Sequence, residues 1–103
     1  MRNTVVLEGV VTAIEPLRHT PAGVAVIDLE LQHRSTQEED HRPVITEFVF
    51  RVRGAGAIAQ ELGSIAVGQR LACRGFLAHP SRLSRQWVLR AKAYQLMDGE
   101  TKS

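Results

Sequence analysis

Ala25-Val26-Ile27-Asp28-Leu29-Glu30-Leu31-Gln32-His33 and Val44-Ile45-Thr46-Glu47-Phe48-Val49-Phe50-Arg51-Val52-Arg53 are the stretches on which the fold turns. From Ile27 the first alternates strictly: Ile27, Leu29 and Leu31 fall on one side, Asp28, Glu30 and Gln32 on the other. A repeat of two is the period of a half-buried strand and not of a helix. The second stretch repeats the pattern, with Val44, Thr46, Phe48, Phe50 and Val52 on one face and Ile45, Glu47, Val49, Arg51 and Arg53 on the other. Between them Arg34 to Pro43 is polar and acidic, and reads as a loop projecting at a hairpin tip.

Outward from this pair the elements fall into order. Val5 to Ile14 reads as a first strand with valines on both faces, and Gly9 inside it suggests a bulge or sharp coil. Such a strand can be covered on both sides, as by a second subunit. Glu15 to Val24 connects it to the second strand, with turn chemistry at Thr20-Pro21-Ala22-Gly23. After Gly54-Ala55-Gly56, a short helix is expected over Ala57 to Leu62, with Ile58 and Leu62 on one side. Arg70 to Ala78 and Gln86 to Met97 read as the last strands, joined by His79-Pro80-Ser81-Arg82-Leu83-Ser84-Arg85. Three strands, a short helix and two strands match the oligonucleotide-binding (OB) fold, an all-β five-stranded barrel with its helix between strands three and four. The barrel is expected over residues 1–98, with a short polar tail over 99–103. Ligands of this barrel lie on strands two and three, flanked by the loops after strands one and four.

Composition narrows the class. A chain of 103 residues that is 44% hydrophobic makes one globular domain. Cys73, the only cysteine, permits no intrachain disulfide and fits a reducing cytoplasm. The opening apolar run stops at Glu8, unlike a signal peptide, and no run approaches the ~20 residues that span a bilayer. The net charge of +2 hides a segregation. Up to Phe50, Glu8, Glu15, Asp28, Glu30, Glu38, Glu39, Asp40 and Glu47 outnumber Arg2, Arg18, Arg34 and Arg42. From Arg51 to Lys92, Arg51, Arg53, Arg70, Arg74, Arg82, Arg85, Arg90 and Lys92 face one acid, Glu61. A polyanion-binding face would need such asymmetry; an ordinary solvated basic surface is the alternative.

No catalytic constellation stands out, so an enzyme is not expected, nor a cofactor or metal. His19, His33, His41 and His79 are scattered, without metal-ligand spacing to Cys73 or a carboxylate. Gly54-Ala55-Gly56 lacks the further glycine and lysine of a phosphate loop, and Glu38-Glu39-Asp40 reads as a solvated tip. Cys73, alternating with Leu71 and Gly75, reads as a small buried hydrophobe.

The residues also carry a resemblance. Asn3-Thr4-Val5-Val6-Leu7-Glu8-Gly9 resembles the first strand of bacterial single-stranded DNA-binding proteins. Thr20-Pro21-Ala22-Gly23, Leu31-Gln32-His33-Arg34-Ser35 with Gln37-Glu38-Glu39, Val67-Gly68-Gln69-Arg70-Leu71, Arg74-Gly75-Phe76-Leu77 and Val88-Leu89-Arg90-Ala91 are similar to a narrower branch, the primosomal replication protein N (PriB) family. The resemblance implies a non-enzymatic OB-fold homodimer that binds single-stranded DNA. It also implies service to a primosomal helicase (PriA) and a loading factor (DnaT) in replication restart. On the matching positions it implies DNA contact by Arg34, by Arg18 before the Thr-Pro-x-Gly turn, and by Arg82 and Arg85 in the loop before the last strand. Family members can place Phe and Trp in and after the loop between strands two and three; here Asp40 and Ile45 stand near those positions.

The expected DNA-binding set is therefore Arg34, Arg51, Arg53, Arg82 and Arg85, with Arg18, Arg74, Arg90 and Lys92 second. Trp87 is a candidate base-stacking residue, or else caps the barrel or fills an interface, whereas Phe48, Phe50 and Phe76 read as core. The rival readings are an OB-fold protein–protein interaction module with little DNA affinity, and an RNA-binding OB domain.

Overall fold

The structure, a computed structural model, describes residues 1–97, so the tail expected at 99–103 lies outside the described residues. The strands are β1 (Val5–Ile14), β2 (Arg18–His19), β3 (Ala25–Glu39), β4 (Arg42–Ala55), β5 (Arg70–Ala78) and β6 (Val88–Met97), with helix α1 (Ala57–Leu62) between β4 and β5. Apart from the two-residue β2, the strands close on themselves: β1 pairs with β3, β3 with β4, β4 with β6, β6 with β5, and β5 with β1. Only β4 and β6 run parallel; the other pairs are antiparallel. This is the OB barrel expected from the order of elements.

β1 serves two partners. Its first half pairs with β5 and its second half with β3, with the register slipping between Val11 and Ala13. Gly9 lies at the crossing, where a Cβ would come within 2.9 Å of the Gln32 carbonyl oxygen and 3.1 Å of Phe50. The slip falls next to Thr12, three positions beyond the glycine that suggested it. Gly75 marks a second slip, in the β5–β6 pairing, and a Cβ there would run into the Arg90 carbonyl.

Ile27, Leu29 and Leu31 of β3 enclose the core with Val11, Val52, Leu71, Cys73 and Leu89, while Ala59 and Leu62 of α1 and the following Ile65 close one end. Cys73 is fully buried, and burial pushes its thiol up to about 11. The helix docks through the Gly56 amide, which donates to the Ala25 carbonyl at 2.8 Å.

The polar loop expected over Arg34 to Pro43 is instead strand. β3 and β4 stay in register from Arg34↔Glu47 to Glu39↔Arg42 and reverse only at Asp40-His41. Both turn residues are left-handed, with φ of 53° and 63°, as a two-residue hairpin with the native twist requires. Ladder hydrogen bonds need no apolar side chain, so a ribbon solvated on both faces has no hydrophobic period to read. The last strand begins at Val88, two residues later than expected, because Gln86 is held by local bonds: its amide donates to Ser84 Oγ and its carbonyl accepts from His79 Nδ1.

Candidate nucleic-acid interface

Folding undoes much of the charge segregation seen along the chain. The acidic strand β3 and the basic second half of β4 are antiparallel neighbours, so their outward residues alternate in space as Asp28 beside Arg53, Glu30 beside Arg51, and Arg34 beside Glu47. Asp28 is only 4% exposed. Arg53 donates from Nε to its Oδ1 at 2.8 Å, and Arg18 reaches Oδ2 at 2.9 Å. Burial pushes the Asp28 carboxyl up, but the hydrogen bonds from Arg53 and Arg18 outweigh it and hold the group below its ordinary value. Arg51 donates to Glu15 at 3.2 Å, across from the connection after β1. Of the sequence-selected cations, Arg18, Arg51 and Arg53 thus stand where a ligand of this barrel would lie, each already facing a carboxylate.

The others are placed differently. Among the described residues, Arg34, Arg74, Arg82, Arg85 and Lys92 take part in no ion pair. Arg34 lies on the ribbon. Arg82 and Arg85 lie in the 79–87 loop, which returns to the barrel at Val88 beside Arg51, so the loop borders β4 on the side away from β3. Arg74 and Lys92 flank a shallow cavity of about 570 Å³ over Asn3, Gly75 and Phe76, on the β5–β6 side of the barrel. Arg90 stands next to Arg53 on the parallel strand, with its Nε buried and lacking a hydrogen-bond partner. The predicted set is therefore two groups: a charge-balanced face on β3 and β4, which Arg34 opposite Glu47 continues onto the ribbon, and cations in no ion pair among the described residues, in the 79–87 loop and on the β5–β6 face.

Two aromatic arrangements escaped the sequence reading. Phe48, expected in the core, is 41% exposed. Its strand overruns the barrel, so no opposite wall covers it, and its ring stacks instead on His33 at 4.8 Å. His33 itself bridges elements. Its Nδ1 lies 2.6 Å from the Glu8 carbonyl and therefore donates, which leaves Nε2 to accept from the Ser35 hydroxyl at 2.7 Å. Ser35 Oγ in turn lies 2.9 Å from Thr46 and 2.8 Å from the Gln37 amide. The chain of bonds ties the ribbon to β1 where the two strands diverge. The second arrangement is His79 stacked on Trp87 at 4.0 Å. Phe50 and Phe76 are half-buried, as is Tyr94, whose hydroxyl burial and then a hydrogen bond to Glu61 push up.

On the outer surface of β1 and the ribbon runs a groove of about 780 Å³, with Val6, Glu8, Val10, Gln32, Arg34 and Glu47 among its walls. Val6 is 62% exposed, and Val10, Ile45 and Val49 are exposed as well. Among the described residues there is no cluster of His, Cys, Asp and Glu able to hold a metal ion, and no helix long and apolar enough to cross a membrane.

A barrel of this topology has counterparts among known proteins. Residues 3–93 match a family model described as "Another single-strand binding protein family". The replication restart protein PriB of Nitrosomonas europaea is 33% identical over 91 residues, 88% of this chain and 84% of the relative. The chain belongs to the PriB branch of that single-strand binding family. The PriB structure from Ralstonia solanacearum superposes with a TM-score of 0.84 at 30% identity, over 93% of this chain and 98% of that one. Similarity extends to the single-stranded DNA binding protein of Thermus aquaticus, at TM-score 0.77 and 27% identity, over 95% of this chain and 51% of the other.

Proposed function

We propose that this PriB-family chain is an accessory single-stranded DNA-binding protein of the replication-restart primosome. It works in the cytoplasm without catalysing a reaction, helping the helicase PriA and the loading factor DnaT to assemble. The observation that carries the reading is a PriB-type OB barrel whose cations Arg82 and Arg85, in no ion pair among the described residues, border the β3–β4 face. Arg34 on the ribbon extends the path, and Arg74 and Lys92 offer further phosphate contacts on the β5–β6 side. Arg18, Arg51 and Arg53 contribute less, because a phosphate must compete with Asp28 and Glu15 for them. Arg90, with its Nε buried, is a lesser contact still. Affinity then rests on few phosphates, each adding ~0.7 to the salt slope for a single strand.

The chain acts as a homodimer in this reading, the second copy covering the exposed Val6 and Val10 of β1 together with Val49 and Ile45 of β4. Light scattering tests this: a mass of two chains is expected, and Val6→Asp is expected to reduce it to one.

The charge balance of the β3–β4 face favours one rival, a barrel whose surface serves protein contacts with little DNA affinity. Anisotropy of labelled oligo-dT at low and moderate salt separates the two. Binding that weakens as salt rises supports the DNA reading, whereas no binding at low salt leaves the interaction module. Tighter binding of oligo-U than of oligo-dT would instead point to RNA.

A further inference from the structure

The register of β5 against β6 slips between Arg74 and Gly75, and the slip decides where Lys92 points. Leu71 pairs with Leu96 and Arg74 with Ala93, but Gly75 pairs with Ala91. Had the register run on, Lys92 would stand opposite Gly75, on the side of the buried Leu71 and Cys73. The slip makes it the extra residue of a bulge, which re-aims its side chain. Gly75 permits this, because the Arg90 carbonyl occupies the place of a Cβ. Lys92 is thereby exposed, and it lines the same cavity as Arg74.

The rest of that cavity is fixed. Asn3 forms one wall and is tied to β5 by two bonds. Its side-chain amide donates to the Leu77 carbonyl at 2.9 Å, and its side-chain oxygen accepts from the Leu77 amide at 3.1 Å. Gly75 and the half-buried Phe76 lie in the lining as well. Among the described residues no acid lines the cavity, and neither Arg74 nor Lys92 takes part in an ion pair. Arg90, across from Phe76, brings a third guanidinium nearby, its buried Nε lacking an acceptor.

Two like charges on one cavity repel each other until an anion lies between them. An exposed cation alone meets a phosphate as readily as a carboxylate, so the surroundings decide. β5 pairs with neither β3 nor β4, which sets the cavity beyond β6 from the proposed DNA face. A single strand gains from rings whose faces are open to its bases, whereas Phe76 is half-buried. A ring in that position suits an aliphatic side chain. The Arg74 guanidinium matches a carboxylate with two parallel bonds, and the Lys92 ammonium takes another as a point charge.

We propose that this cavity is a docking site for an acidic segment of a partner protein, with carboxylates on Arg74 and Lys92 and an aliphatic side chain against Phe76. The site is separate from the β3–β4 face and does not rest on the DNA reading. A barrel so built engages a polyanion on one side and a protein on another.

The test adds a fluorescein-labelled peptide of alternating Glu and Leu to the full chain and reads anisotropy. Saturable binding that weakens as salt rises is expected. A Glu-Ser peptide is expected to bind less tightly, and a Gln-Leu peptide not at all. Arg74→Glu and Lys92→Glu are each expected to weaken binding by about 5-fold or more, since reversal turns an attraction that reaches about that ratio at the surface into a repulsion. Arg74→Lys keeps the charge without the fork and is expected to fall between. Both side chains are exposed, and circular dichroism confirms that the variants keep the barrel. Reversal at Arg82 and Arg85 is expected to leave the peptide's affinity unchanged. Peptide binding that follows those two arginines, or that ignores Arg74 and Lys92, overturns the proposal. Displacement by unlabelled oligo-dT, with Arg74→Glu and Lys92→Glu weakening both ligands alike, overturns it in favour of a phosphate site. Absence of saturable peptide binding at low salt also overturns it, and the oligonucleotide titration of the DNA reading is independent of that result.

Discussion

Asp28→Asn is the substitution whose effects on stability and on DNA binding are expected to move in opposite directions. Asp28 holds Arg53 at 2.8 Å and Arg18 at 2.9 Å from a position that is 4% exposed. A hydrogen bond to a charged group contributes ~1.5–3 kcal/mol, and Arg53, with 23% of its side chain exposed, falls near the lower end of that range. Arg18 is about half exposed, so its pair adds only ~0.2–1 kcal/mol. The isosteric amide keeps one acceptor oxygen, which leaves an expected loss of about 2 kcal/mol, or a fall in Tm of roughly 8–16 °C. The same change releases two guanidinium groups on the proposed DNA face. If both reach phosphates, the salt slope steepens by about 1.4 and affinity at low salt rises. The pH dependence gives an independent check. The Asp28 carboxyl titrates below its ordinary value when folded, so its contribution is complete above the unfolded value near ~3.9 and is lost as pH falls through the lower folded one. Asp28→Asn lacks that acid-side loss. Denaturant melts across pH and oligonucleotide titrations across salt measure both effects. An unchanged Tm would show that the carboxylate holds nothing together, and an unchanged salt slope would place the strand elsewhere than over β3 and β4.

Other substitutions probe the remaining parts. Reversing charge at Arg82 and Arg85 together is expected to lower DNA affinity and flatten its salt dependence; unchanged affinity would remove that loop from the binding surface. Gly75→Ala pushes a methyl group into the Arg90 carbonyl, a backbone atom that cannot swing aside, so a loss of more than ~4 kcal/mol is expected, read as failure to show a cooperative melt. Replacing Asp40-His41 by Asn-Gly fits the two left-handed turn residues and is expected to slow amide hydrogen exchange along the ribbon, while Tm, set by the barrel, barely moves. With its thiol buried and raised to about 11, Cys73 is expected to resist a thiol-specific reagent at neutral pH until the chain unfolds; fast labelling of the folded chain would contradict its place in the core.

The barrel was legible because each of its strands has one face in a core. Ile27, Leu29 and Leu31 announce their strand through period alone, and Ala57–Leu62 lies between flanking glycines at the place where the fold requires its helix. The ribbon was not legible for the complementary reason. Arg34 to Glu39 and Arg42 to Pro43 pair along their backbones with solvent on both sides, and no alternation of apolar with polar residues records that. Phe48 was misassigned by the same gap: its face matches that of the core residues, but its position lies past the rim.

The candidate site was legible in its residue types and not in its net charge. Arg51 and Arg53 fall on the outward face that alternation assigns them, yet a count along the chain cannot say which acids they meet. That depends on β3 running antiparallel beside β4, which brings Asp28 opposite Arg53 across a sequence separation of 25 residues. Opposed charges on adjacent strands hold their arginines in fixed geometry, but a phosphate gains from such a guanidinium only what its carboxylate gives up. A loop that carries arginines without acids, and has the 58% exposed Trp87 at its neck, suffers no such competition. The strongest attachment of a single strand is therefore expected at the border of the β3–β4 face, where Arg82, Arg85 and Trp87 stand, with the strand's remaining length resting lightly across a surface that is already electrically satisfied.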